Sequence, residues 1–153
     1  MTSQQKQMEV MQALMDELDK NEFNYNFDKE RMVLESGLTS DGTNVKIKVL
    51  FQGSGSVVYF LIPFPFNIKD ERRAEAAVAT CTINYKLLLG AFSYDFRDGE
   101  LHFEYSELIE NSVIAGEDLY TIFITCLRMA LKYYDKFYML SKGMIELNAF
   151  FEE

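Results

Sequence analysis

The chain has no tryptophan, two prolines, two cysteines and a single histidine among 153 residues. Each scarcity excludes something. One histidine, His102, and two distant cysteines, Cys81 and Cys126, cannot supply the ligand spacing of a transition-metal site. Acidic pairs such as Asp16-Glu17 and Glu152-Glu153 lack the alternating loop pattern of a calcium site. Neither a metal nor a cofactor is expected. No stretch approaches the roughly 18 uninterrupted apolar residues of a membrane span, so membrane insertion is not expected either. The start, Met1-Thr2-Ser3-Gln4-Gln5-Lys6, lacks the basic and apolar regions of a signal peptide. Positive charge is also short: 15 Lys and Arg stand against 24 Asp and Glu, a net charge of −9. The cations are scattered, and the densest group, Lys69 to Arg73, contains Asp70 and Glu71, so it reads as a solvated helix face. Nucleic acid is not an expected partner.

What the chain does have is apolar mass. It is 48% hydrophobic, with 13 Phe and 9 Tyr, which argues for a folded chain with a substantial core. One domain over residues 1–153 is expected. Cys81 and Cys126 each fall on the apolar stripe of a predicted helix. Buried, reduced thiols in a cytoplasmic protein are the simplest reading, with a disulfide second.

Hydrophobic periodicity orders the elements. Met8, Met11, Leu14, Met15 and Leu18 recur at three and four and predict a helix from Ser3 to about Lys20. A first extended stretch runs from Tyr25 through Leu34 and closes at Ser36-Gly37. After Thr39-Ser40-Asp41-Gly42 comes a second strand with Val45, Ile47, Val49 and Phe51 on one face. A third, Val57 to Ile62, is apolar on both faces and so central. Pro63 and Pro65 end it. A helix from about Lys69 to Leu88 is expected to turn Ala74, Ala77, Val78, Cys81 and Tyr85 inward. Asp98-Gly99 then predicts a two-residue hairpin turn, pairing Arg97 with Glu100, Asp95 with His102 and Tyr94 with Phe103. A long helix from about Glu117 to Leu140 follows, stopped at Gly143. The expected fold is α+β, one antiparallel sheet with helices packed on it, in the order α-β-β-β-α-β-β-α.

The long helix carries too much apolar surface for a single buried stripe. Leu119, Ile122, Phe123, Cys126, Ala130, Tyr133 and Phe137 make a core face. A second row, Tyr120, Ile124, Leu127, Leu131 and Tyr138, lies beside it. Either the other helices cover that row, or it serves a partner or a second subunit. Tyr120, Ile124, Leu131 and Tyr138 are the residues expected at such an interface.

Catalysis has no candidate residues. His102 opposite Asp95 would orient a base, but the neighbouring strand residues offer only Ser93 and Glu104, and a cross-strand surface pair explains the pairing better. Gly53-Ser54-Gly55-Ser56 is followed by a strand, without the Lys-Ser/Thr of a phosphate loop, so it reads as a flexible hairpin connection.

The run Phe27-Asp28-Lys29-Glu30-Arg31-Met32-Val33-Leu34-Glu35-Ser36-Gly37 resembles the opening strand of the YbjN-like proteins, a bacterial family designated as sensory transduction regulators. Arg72-Arg73-Ala74-Glu75 leading into Asn84-Tyr85-Lys86-Leu87-Leu88-Leu89-Gly90-Ala91-Phe92, and then Asp98-Gly99-Glu100, is closer still. The likeness spans about Glu22 to Tyr138. It implies a fold similar to type III secretion chaperones, small acidic proteins that dimerise and hold segments of other proteins. It implies no cofactor and no catalytic motif, and gives Asn84 and Gly90 the role of shaping the corner between helix and strand. The resulting expectation is a cytoplasmic, non-enzymatic interaction protein, a homodimer that binds an unidentified protein partner through apolar surface. The competing expectation is a small-molecule sensor with an apolar pocket between sheet and helices, near Phe60, Phe64 and Phe66.

Overall fold

A computed structural model describes residues 2–152. Helix α1 spans Ser3–Lys20. The Thr2 hydroxyl accepts from the Gln5 amide at 3.1 Å, and the Thr2 amide donates to the Gln5 side chain at 2.8 Å. Two helix-end donors are thereby satisfied at once. The face that α1 buries is Met11, Leu14, Met15 and Leu18, as the periodicity predicts, with Val10 in place of the expected Met8, which is half-buried beside them.

The sheet is antiparallel throughout, with six strands in the order β1-β2-β3-β4-β6-β5. They are β1 Tyr25–Asp28, β2 Val33–Ser40, β3 Thr43–Gln52, β4 Val57–Pro63, β5 Ala91–Asp95 and β6 Glu100–Leu108. Helix α2, Arg73–Lys86, lies between β4 and β5 in sequence, and helix α3, Gly116–Ser141, follows β6. The fold class and the order of helices and strands are those expected, with one strand more before α2. The first extended stretch is folded into the β1–β2 hairpin, because the Asp28 carboxylate accepts from the Arg31 amide at 3.0 Å and Met32 adopts φ 55°. The Gly53–Gly55 connection forms a short 3-10 turn.

Alternation decides which face of the sheet is buried. Leu34, Val45, Ile47, Val49, Val58, Phe60, Ile62, Phe92, Leu101 and Phe103 point to one side and are buried there, with α3 running across them. On the opposite face Lys46, Lys48 and Ser106 meet solvent. Helix α1 packs on α3 rather than on the sheet. Their approach is close enough that a Cβ at Gly116 would lie 2.9 Å from the Ala13 carbonyl oxygen.

Two local expectations are corrected. Asp98-Gly99 is not a two-residue turn. Asp95 pairs with Glu100, Tyr94 with Leu101, Ser93 with His102 and Phe92 with Phe103, which leaves a four-residue loop from Phe96 to Gly99. The slip is two residues, so every side chain keeps its face while every partner changes. Aspartates hold the longer loop. The Asp95 carboxylate accepts from the Arg97 amide and guanidinium at 2.8–3.1 Å, and Asp98 accepts from the Glu100 amide at 2.9 Å. The genuine two-residue Asp-Gly turn is Asp41-Gly42, where φ is +50° and +81° and Ser40 faces Thr43.

The second correction concerns α2. The residues it buries are Ala76, Ala79, Thr80 and Ile83. At 100° per residue this is the side opposite Ala74, Ala77, Val78, Cys81 and Tyr85. Cys81 is exposed, whereas Cys126 is buried. The outcome follows from Ile83 and the Asn84 clamp, which dock the helix with its larger aliphatic side chain inward.

That clamp shapes the corner into β5. The Asn84 side-chain amide donates to the Phe92 carbonyl at 2.8 Å and accepts from the Phe92 amide at 2.8 Å. Between them Gly90 takes φ +72°, with the Phe103 ring 2.6 Å from where a Cβ would sit. Both residues have the structural role that the family resemblance implies.

Candidate functional site

Polar groups converge at one place on the open face of the sheet. The Tyr59 hydroxyl, on β4, donates to Glu104 Oε2 on β6, and His102 Nε2 lies 3.1 Å from the same oxygen. Burial and the Glu104 carboxylate push the Tyr59 phenol well above its usual range. Both neighbours thus meet Glu104 at one oxygen, Oε2. Asp95 turns away to Arg97, whose guanidinium and amide hold its carboxyl down at about 2. The expected His102–Asp95 pairing is replaced by this Tyr59–Glu104–His102 set, a cross-strand hydrogen-bond network on one sheet face. Among the described residues no group of three or more His, Cys, Asp or Glu is placed to hold a metal ion.

The aromatic trio named for a small-molecule pocket fills space rather than lining it. Phe60 and Phe64 are buried, and Phe64 stacks within 5.5–6.2 Å of the rings of Phe66, Phe92, Tyr134 and Phe137.

The row on α3 occupies one flank of that helix. Leu127 is buried, while Tyr120, Ile124 and Leu131 are half-buried against the core. Tyr120 meets Phe23 edge-on at 6.2 Å. Tyr138 is 41% exposed and meets Phe66 edge-on at 5.4 Å. On the buried arc, Cys126 sits deep enough that burial pushes its thiol up to about 12.

Helix α2 presents the larger outward apolar surface, which periodicity assigned to the core. Val78 is 46% exposed, Tyr85 91% and Leu88 94%, with Ala74 and Cys81 also outside. Ala74, Val78, Cys81 and Tyr85 succeed one another at three and four residues, so they form one ridge. Three leucines, Leu87 to Leu89, carry the surface past the end of the helix towards the edge strand β5.

Beside this ridge lies a groove between α2 and α3, with a volume of ≈ 570 Å³. Ile83 of α2, with Leu87 just past its end, forms one wall, and Met129 and Tyr133 of α3 form the other. Phe150, from the short 3-10 turn Leu147–Phe150, closes one end and packs on Phe137 at 5.1 Å. Lys86, Lys132 and Lys136 stand around the opening with Glu152. Sequence reasoning missed the groove because its walls come from elements forty residues apart. The available signal was Lys132 and Lys136, spaced one helical turn apart beside Met129 and Tyr133.

No family model and no curated protein matches the sequence. The fold has solved counterparts. A chain of the HopA1–SchA chaperone–effector complex superposes with a TM-score of 0.53 at 12% identity, covering 82% of this chain and 92% of that one. A chain of the ExsC–ExsE complex gives a TM-score of 0.55 at 13% identity, covering 85% and 94%. At such identities the likeness is one of fold, and it is the chaperone-like α+β fold expected from the sequence. Among the described residues no helix is long and apolar enough to cross a membrane.

Proposed function

We propose that this chain is a non-enzymatic, chaperone- or adaptor-like module of the cytoplasm that binds a segment of another protein, and that it does so as a homodimer. The observation that carries the reading is the outward apolar ridge on α2, in a fold shared with chains of complexes between two proteins. An exposed surface of this kind is costly to leave in water and marks an interaction site. A YbjN-like identity is part of the same proposal and rests on the Asn84 to Glu100 run, whose Asn84 clamp and Gly90 corner have a structural reason.

The occupant proposed for the α2 ridge is a second copy of the chain. Ala74 and Ala77 let another helix approach closely, while Val78, Cys81 and Tyr85 supply the ridge that packs into it. An isologous contact of this type would place each Cys81 near the two-fold axis. The row Tyr120, Ile124, Leu131 and Tyr138 and the α2–α3 groove are the surfaces left for the bound segment.

Two measurements test this. Sedimentation equilibrium should give a dimer for the wild type and a monomer for Val78→Glu, with unchanged circular dichroism. A wild-type monomer at tens of micromolar removes the homodimer. An array of peptides spanning varied apolar and charged patterns should show selective capture, reduced by Ile124→Glu/Leu131→Glu if the α3 row takes part. An array with no selective binder refutes segment binding altogether.

A further inference from the structure

We infer that the α2–α3 groove takes a peptide segment in which apolar side chains alternate with carboxylates. The inference rests on the segment-binding reading above and adds the chemistry of the segment. Charge is the first argument. The chain carries −9 overall, yet Lys86, Lys132 and Lys136 gather on this opening, and Glu152 is the one carboxylate among the described residues that lines it. At physiological ionic strength charges farther than about 8 Å are largely screened. Lys132 and Lys136, with Glu152 beside them, are therefore the charges that a seated ligand meets at close range.

Geometry is the second argument. The volume of ≈ 570 Å³ is that of a ligand-sized cleft rather than a packing defect. Its floor is apolar, and Met129 can adjust to side chains of different shape. Lys132 and Lys136 stand one turn apart on the same edge of α3, so both reach the same side of a bound strand or helix. The Lys132 ammonium lies 5.3 Å from the centre of the Tyr133 ring. Lys136 donates to the Ala149 carbonyl at 3.2 Å, which uses one of its three protons.

The third argument is the chain's own tail, which brings both kinds of side chain to one end of the groove. Phe150 is 3% exposed against Phe137, and two residues later Glu152 stands with the lysines. An aromatic side chain on the floor with a carboxylate at the rim is the arrangement that an incoming segment would extend.

The test uses the full chain and three fluorescein-labelled decapeptides with identical Leu and Phe positions and Glu, Gln or Lys at the alternating sites. Fluorescence anisotropy at physiological salt should rank them Glu, Gln, Lys, with about tenfold between the first two. Lys132→Glu/Lys136→Glu should invert the ranking, and Lys132→Gln/Lys136→Gln should flatten it, both with the circular dichroism of the wild type. If Glu and Gln peptides bind within twofold, or the ranking survives both variants, the acidic preference is wrong while segment binding stands. If none of the three binds and the peptide array is also blank, both readings fall together.

Discussion

Replacing Asn84 tests whether one side chain fixes the corner between α2 and β5. Its amide makes two hydrogen bonds of 2.8 Å to the two main-chain groups of Phe92. A typical intramolecular hydrogen bond contributes about 1 kcal/mol net, so Asn84→Ala should cost about 2 kcal/mol. For a chain of this size that is a fall in Tm of about 4–8 °C. Asn84→Asp separates donor from acceptor. Its carboxylate still accepts from the Phe92 amide but faces the Phe92 carbonyl oxygen with no proton to give. The protonated acid can donate there, so the folded state raises this carboxyl above its unfolded value near 3.9. The stabilisation it gives is then fully present below that value and is lost as pH rises through the folded one. Relative to Asn84→Ala, the Asp variant should gain stability on acidification. Urea denaturation between pH 3 and 8 measures both, at one protein concentration because a dimer's stability depends on it. An Ala variant within 0.5 kcal/mol of wild type, on the order of the least change that mutagenesis resolves, would refute the clamp. So would an Asp variant whose difference from Ala ignores pH.

Other perturbations have equally definite outcomes. Gly90→Ala combines a φ of +72° with a contact of 2.6 Å to the Phe103 ring and should cost about 2–5 kcal/mol in chemical denaturation, whereas Gly42→Ala, at φ +81° in open space, should cost only about 1–2 kcal/mol. In native protein at pH 8 a thiol reagent should leave Cys126 untouched, since it is buried with its thiol pushed up to about 12. Cys81 should react faster in Val78→Glu than in the wild type if the α2 ridge is a dimer contact, and equal rates would count against that contact. Asp95 should titrate by carboxyl NMR at about 2, and Arg97→Ala should move it upward. The stabilisation from that depressed carboxyl exists above the unfolded value near 3.9 and disappears as pH falls through about 2.

Periodicity located α1, α3 and the strands β3 and β4 because each has residues large enough to mark a face, such as Leu14 and Leu18 or Ile47 and Val49. It failed on α2, where alanines lie on both sides and hydropathy cannot choose between Ala74-Ala77-Val78 and Ala76-Ala79-Ile83. Asn84, which fixes that choice, acts through a contact eight residues away. The β1–β2 hairpin was hidden because its turn has neither Gly nor Pro; the Asp28 carboxylate does their work. In the β5–β6 hairpin the Asp-Gly pair was read as the whole turn, while Asp95 extends it by capping the Arg97 amide. The fold class survived these errors because none of them moves an element to another place in the sheet. The α2 error did hide the surface proposed for the dimer contact, since hydropathy places in the core the face that the fold leaves outside.

The packing of α1 on α3 has a consequence for how the chain is made. The first helix ends at Lys20 and its partner begins at Gly116, so almost the entire sequence must be synthesised before the two meet. At about 5–20 residues per second, the newborn α1 waits roughly 5–20 s for its partner. Throughout that interval Met11, Leu14, Met15 and Leu18 lie bare, on a helix whose Thr2–Gln5 box lets it start before anything covers it. Truncated chains that stop short of α3 should therefore aggregate or recruit holdases on the ribosome, and supplying α3 as a separate peptide should rescue them.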